Sequence, residues 1–166
     1  MATPTNLPAS FTTGAVLTAA QMNDLRGAFR ILQVVSGSTT TETSTSSTTH
    51  ADTTLTATIT PQSASSQILV YVSHPSCFKG NGNSSNSINF RLVRGSTNIY
   101  TFNSFLGFTG SASEMYFSAN AIHLDSPATT SATTYKTTFA NEVAASQVKV
   151  QQGSIGSRIL LMEVSA

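Results

Sequence analysis

Between Thr54 and Thr60 the chain alternates threonine with Leu55, Ala57 and Ile59. That period of two suits an extended strand with one buried face. The same alternation returns at Ile88, Phe90 and Leu92, interleaved with Asn89, Arg91 and Val93. Threonine and serine set this texture throughout, with 26 and 25 of the 166 residues. β-Branching stiffens threonine at χ1 and fits a pleated surface, while the hydroxyl keeps an outer face wet. Further strands are predicted at 31–35, 68–72, 98–102, 115–124, 134–139, 147–150 and 158–164. The segment 94–97 makes a hairpin turn, and the Ser/Thr tract 36–49 and the stretch 62–66 connect strands. The run 68–72 (Ile-Leu-Val-Tyr-Val) is continuously apolar, as in a central strand covered on both sides. Eight or nine short strands punctuated by turn residues predict a mainly β protein, an antiparallel β-sandwich or jelly roll.

The first 30 residues follow a different period. Residues 1–15 read as an extended arm rich in Pro, Thr and Ser. Leu17, Met22, Leu25, Ala28 and Phe29 then recur at helical spacing. Thr18 and Gln21 match a capping box, and Leu17 with Met22 fits the accompanying hydrophobic staple. One helix is predicted at about 18–30. An amphipathic helix this short is marginal alone and must dock on something. The chain divides into an attachment segment, 1–30, and a β domain, 31–166, whose last strand ties the C-terminal residues into the sheet.

Charge excludes some function classes. Eight Lys and Arg against seven Asp and Glu leave a net charge of +1. Eight scattered cations do not make the clustered surface that displaces counterions from nucleic acid. No apolar run approaches the roughly 20 residues of a membrane span, and the first residues lack the cationic and apolar regions of a secretory signal. Synthesis in the cytosol, with no membrane anchor, is expected.

Chemistry-bearing residues are sparse. Cys77 stands alone, which excludes an intrachain disulfide and fits a buried small side chain. His50 with Asp52 and His123 with Asp125 each place an imidazole and a carboxylate on one strand face. Two such pairs could hold Zn²⁺ or Mn²⁺ if they met in space, but the reading expects each Asp at a strand end or turn. No Gly-x-Ser-x-Gly elbow presents a nucleophile, and no acidic cluster supplies a carboxylate pair. Gly80-Asn81-Gly82 reads as a loop rather than a phosphate cradle. Asn83-Ser84-Ser85 is a formal glycosylation triplet without a secretory route. The expectation is a protein with no catalytic site, cofactor or metal.

Two segments read as recognition loops. Residues 73–87 embed His74, Phe78, Lys79 and Asn81 among Ser, Asn and Gly, and residues 103–113 carry Phe105, Leu106 and Phe108 between small residues. Aromatics in such settings make adaptable contact surfaces. They fit better as caps on the ends of a sandwich, or as contacts between subunits.

The stretch 11–26 (Phe-Thr-Thr-Gly-Ala-Val-Leu-Thr-Ala-Ala-Gln-Met-Asn-Asp-Leu-Arg) resembles the start of many tailed-bacteriophage fibre and appendage proteins. Segments 31–35, 59–70, 92–97, 125–136 and 161–164 resemble a domain common in phages of aquatic bacteria, cyanophages included. The resemblance spans most of 11–164. It implies a virion structural protein made in the host cytoplasm, a homotrimer with a β-sandwich head, touching other virion proteins and potentially host-surface glycans. Phe11, Val16, Leu17, Met22, Leu25 and Phe29, the apolar side of the arm and helix, are the expected anchoring residues. A long fibre would place a shaft of repeats between anchor and head, and here the helix runs straight into the β domain. Two placements stay open: a short tail-fibre appendage or adaptor, and a capsid decoration (cement) protein.

Overall fold

The computed structural model describes residues 31–165 together with Thr13, Gly14 and Val16. The helix predicted at 18–30 lies outside the described residues, as do Phe11, Leu17, Met22, Leu25 and Phe29. The β domain is a two-sheet antiparallel β-sandwich. Its strands are β1 (Ile31–Thr39), β2 (Thr43–Thr45), β3 (Ala51–Ile59), β4 (Gln67–Lys79), β5 (Ile88–Arg94), β6 (Thr97–Leu106), β7 (Met115–Asp125), β8 (Thr133–Asn141), β9 (Val148–Val150) and β10 (Ser157–Val164). One sheet has the order β1-β10-β4-β9-β2, with β7 on the other edge of β4. The second has the order β3-β8-β5-β6.

Each expected strand is present, and the sequence underestimated two regions. Strand β1 continues through Thr39 into the Ser/Thr tract, which also supplies β2. The larger difference is β4, 13 residues long, which absorbs the first part of the expected loop 73–87. Proline is normally excluded from a central strand because it cannot donate to the ladder. Here Pro75 falls in a β-bulge, where the pairing with β7 shifts between His74 and Cys77. The bulge reverses the alternation, so His74 and Cys77 both point inward and the strand continues to Lys79.

The inward rows pack into two apolar clusters. One gathers Leu55, Ile59, Ile68, Val70, Leu92 and Tyr135 with their neighbours, and the other gathers Cys77, Ile88, Phe90, Phe139, Val148 and Val150. Between them runs a buried polar belt of His74, Thr53, Thr137, Gln151 and Ser157. At one end of the sandwich Asp125 accepts from Arg94 Nη1 at 2.8 and 2.9 Å and from the Tyr135 hydroxyl at 2.6 Å. This joins the end of β7 to both β5 and β8, and so one sheet to the other. Burial first, then the Asp125 hydrogen bond, raises the Tyr135 phenol, which stays protonated as a donor. Gly37 in β1 admits no side chain, since a Cβ there would meet the Thr56 carbonyl oxygen of the facing sheet at 2.0 Å.

The expectation that 68–72 is covered on both sides needs correction. Ile68, Val70 and Val72 are fully buried, whereas Leu69 is only partly buried and Tyr71 is exposed on the outer face. β4 is central within its sheet, but no second layer among the described residues covers that outer face.

Phe90 joins the two halves of the core. Its ring lies against His74 (5.1 Å), Phe102 (5.2 Å) and Phe139 (6.4 Å). Phe90→Ala should cost about 3–5 kcal/mol through lost burial and the cavity left behind. Urea denaturation measures it, and a loss below 1 kcal/mol would mean the ring is not a core element.

Candidate functional site

The bulge that prolongs β4 takes three of the four residues expected in a recognition loop into the strand. His74, Phe78 and Lys79 are buried, and of that set only Asn81 is exposed. They are therefore corrected from loop contacts to structural positions. The His74 ring faces inward between the sheets, with Nδ1 2.8 Å from Ser157 Oγ and Nε2 3.0 Å from Thr137 Oγ1. Thr137 Oγ1 in turn lies 2.5 Å from Thr53 Oγ1. The Gln151 amide nitrogen meets the carbonyls of Val150 and Thr41, and its oxygen accepts from Ser157 Oγ at 2.8 Å. A serine within reach of an imidazole has the spacing of a nucleophile and its base. Both groups are fully buried, however, so no substrate reaches this pair. Desolvation lowers the His74 pKa to about 4, which keeps the ring neutral at ordinary pH.

Phe78 points outward against Tyr116, with ring centroids 5.1 Å apart and Lys149 Nζ above its ring at 5.8 Å. Lys79 points inward beneath the loop 107–113, where Nζ donates to Thr109 Oγ1 at 2.6 Å and to the Ser111 carbonyl at 3.2 Å. This fastens the loop over the far end of β4. In the stretch that does remain a loop, the Asn83 side chain accepts the Ser85 N–H at 2.7 Å in a local turn, and Gly80 donates to the Gln147 carbonyl.

Of the expected loop 103–113, residues 103–106 belong to β6, and the loop itself begins at Gly107. Phe105 and Phe108 are exposed at 55% and 51%, and Leu106 is partly buried. Phe105, the penultimate residue of β6, has φ at +57°, a conformation that costs a bulky side chain energy. Its N–H donates to Asn89 Oδ1 at 2.9 Å, and its carbonyl accepts the Phe108 N–H at 3.1 Å. Gly107, at φ +79°, lies so close to the Phe117 ring that a Cβ would sit 2.3 Å from it. The turn is thus anchored inward on Phe117 while Phe105 and Phe108 project outward. Tyr116, 63% exposed, adds a third outward aromatic on neighbouring β7 and was not singled out by the sequence reading. Its signal was the triplet Met115-Tyr116-Phe117, three bulky groups in succession on a strand that can bury only alternate ones.

The two His/Asp pairs stay apart. His50 immediately precedes β3 and Asp52 lies on it; His50 Nδ1 meets Thr138 Oγ1 at 3.2 Å and Asp52 pairs with Lys136 at 2.9 Å. His123 on β7 stacks on Tyr100 at 4.8 Å, and Asp125 is held by Arg94 and Tyr135. Among the described residues no group of three or more His, Cys, Asp or Glu side chains could hold a metal ion. Cys77 is buried and free, and desolvation pushes its thiol up to about 12, far from a reactive thiolate. Val16 is 90% exposed, and the other expected anchoring residues lie outside the described residues.

No protein-family model matches the chain, and no curated protein matches its sequence.

The buried imidazole makes stability depend on pH. The folded-state pKa of about 4 lies below the ordinary 6.5, so the unfolded chain binds the proton more tightly. The contribution is complete above pH 6.5 and declines as pH falls towards 4, by roughly 3 kcal/mol. His50, also lowered by burial, acts in the same direction. Glu163 and Glu42, with carboxyls held below their usual value, add further losses only below about pH 4.5. His74→Gln should flatten the slope of urea stability between pH 6.5 and 4.5. An unchanged slope would assign the whole effect to other groups.

Proposed function

We propose that this chain is a non-enzymatic structural protein of a bacteriophage virion. It is a short homotrimeric tail-fibre-type appendage, held on the particle through residues 1–30, with the sandwich projecting outward. The observation that carries this reading is the separation of two ends along β4. Ile31, where the attachment segment joins the domain, pairs with Val164, which pairs with Gln67 at the start of β4. Lys79, at the other end of β4, lies under the loop that displays Phe108, next to Phe105. Thirteen residues of strand separate the ends by about 40 Å. An object anchored at one end and carrying outward aromatics at the other has the polarity of an appendage.

Two further features support it. β1 runs antiparallel beside β10 over most of its length, so a pull on the attachment segment loads a long hydrogen-bond ladder in shear. The residue types that most often carry catalysis are committed to structural partners: His74 to Thr137 and Ser157, and Asp125 to Arg94 and Tyr135.

Immunogold electron microscopy of intact particles tests the placement. Label on the tail is expected, and unlabelled particles would overturn the virion reading. Deleting residues 1–30 should leave a folded protein that no longer incorporates into particles, and undiminished incorporation would remove the anchoring role.

The direct passage from the attachment segment into β1, with no shaft repeats between them, favours a second reading as a capsid decoration protein. Label would then cover the head, and loss of the protein would lower the temperature at which heads rupture while leaving adsorption intact.

Contact with host-surface glycans is assigned to the distal end. The double variant Phe105→Ala and Phe108→Ala should reduce adsorption to host cells at least tenfold without changing incorporation. Unchanged adsorption would dismiss that role.

A further inference from the structure

The two sheets present opposite surfaces to the outside. On the β3-β8-β5-β6 sheet the outer rows are hydroxyls and charges: Thr58 meets Thr134 at 2.8 Å, Lys136 pairs with Asp52, and Thr138 meets His50. The outer face of the other sheet is apolar. In register across four strands, Val34 of β1 lies beside Met162 of β10, then Leu69 of β4 and Leu124 of β7. In the next row Leu160, Tyr71 and Ile122 follow one another, starting from Ser36. Ile122 is 67% exposed, Val34 55% and Leu124 49%. None of these positions carries a charge, and among the described residues the nearest cation along these strands is Arg158, one row further on.

Four strands at about 4.8 Å and two rows at about 7 Å give an apolar area of roughly 270 Å². That is close to the biggest patch on a typical monomer, which is itself often functional. Local sequence points the same way. The runs 68–72 and 159–162 are apolar at consecutive positions, a pattern that stabilises a strand only when both of its faces leave water. The inner halves of those runs are satisfied by the core, and the outer halves have no cover among the described residues.

We infer that this outer face of β1, β10, β4 and β7 is the surface through which copies of this chain pack against one another. The proposal rests on the homomeric part of the function proposed above and identifies its interface. Two observations select a second copy as the occupant. Closing each copy's face on another covers the apolar rows of every protomer at once, and those rows hold no charge that would be desolvated without a partner. The face also holds a protrusion and a hollow at different places. Ile122 stands out on β7, and a depression of about 360 Å³, lined by Ser36, Gly37, Ser38, Tyr71, Leu160 and, on the next row, Arg158, opens roughly two strands away. A knob and a hole offset on one surface fit a head-to-tail contact, which closes into a ring when the rotation allows. The patch lies in the half of β4 nearest Ile31, so this contact would gather the attachment segments together and leave the aromatic ends free.

The test is the solution mass of the full chain, by light scattering after gel filtration and by native mass spectrometry. It compares wild type with Ile122→Asp, Leu124→Lys and, on the opposite outer face, Thr58→Asp. Wild type and Thr58→Asp should be multimers, and the two apolar-face variants should shift to the monomer mass with their thermal transitions retained. Multimers that persist in both apolar-face variants would overturn the assignment of this face and leave the homomeric reading standing. A monomeric wild type would overturn both. If deleting residues 1–30 from such a monomer also raised hydrophobic-dye fluorescence severalfold, the face would belong to the chain's own N-terminal segment instead. Should the charged variants fail to fold, the double variant Ile122→Cys and Ser36→Cys, with one thiol at the knob and one beside the hollow, replaces them together with a short bismaleimide linker. Cross-linked multimers would then support the assignment, and their absence would overturn it.

Discussion

A neutral imidazole held between two sheets is the constraint on which this sandwich depends. His74 sits where an all-apolar core would place an aliphatic side chain, and its two ring nitrogens need partners in a region without water. Ser157 of β10 and Thr137 of β8 supply them, one from each sheet. The pair fixes how the sheets are laid over each other, because a shift of one residue would turn either hydroxyl outward and leave a ring nitrogen unpaired. The apolar clusters on either side are then free to be ordinary, filled with Ile, Val, Leu and Phe. Some of the many hydroxyls in this chain thus have a specific interior use besides keeping an outer surface wet.

The bulge at Pro75 follows from the same constraint. It permits a proline in a central strand and reverses the alternation, so that Cys77 joins the core at a position a regular strand would turn outward. By prolonging β4 it also sets the length of the domain. The proximal half of the strand carries the apolar outer face beside Ile31, and the distal half ends under the loop that holds Phe108 and neighbours Phe105. The two surfaces open to partners therefore stand at different levels along one strand. Only their common attachment to β4 relates them.

How much of this could be read in advance depended on the range of the signal. The strict alternation at Leu55, Ala57 and Ile59 is local, and those side chains are buried as the pattern requires. Phe105 and Phe108 were legible as outward aromatics because small residues flank them. His74, Phe78 and Lys79 were misread because Pro75 and the surrounding Ser, Gly and Asn carry loop chemistry, and the bulge that overrides it is stabilised by pairing with β7, some 40 residues further along the chain. The outer apolar face was half legible: the continuous run at 68–72 asked for cover on both sides. That Val34, Met162 and Leu124 extend it appears only once four strands stand in register.

By itself the sequence determined where nine of the strands begin or run, which side chains of the alternating ones point inward, and that the chain is nearly neutral and rich in hydroxyls. These are properties of a period of two and of β-branched side chains, and they need no knowledge of the neighbours. Tertiary structure alone decided the strand order, the continuation of β4 through a proline and the burial of His74 and Lys79. It also decided the contrast between a polar and an apolar outer face. The reason is that alternation says which side chains share a face and nothing about what that face meets. What it meets is set by hydrogen bonds between strands far apart in the chain, such as β10 inserted between β1 and β4.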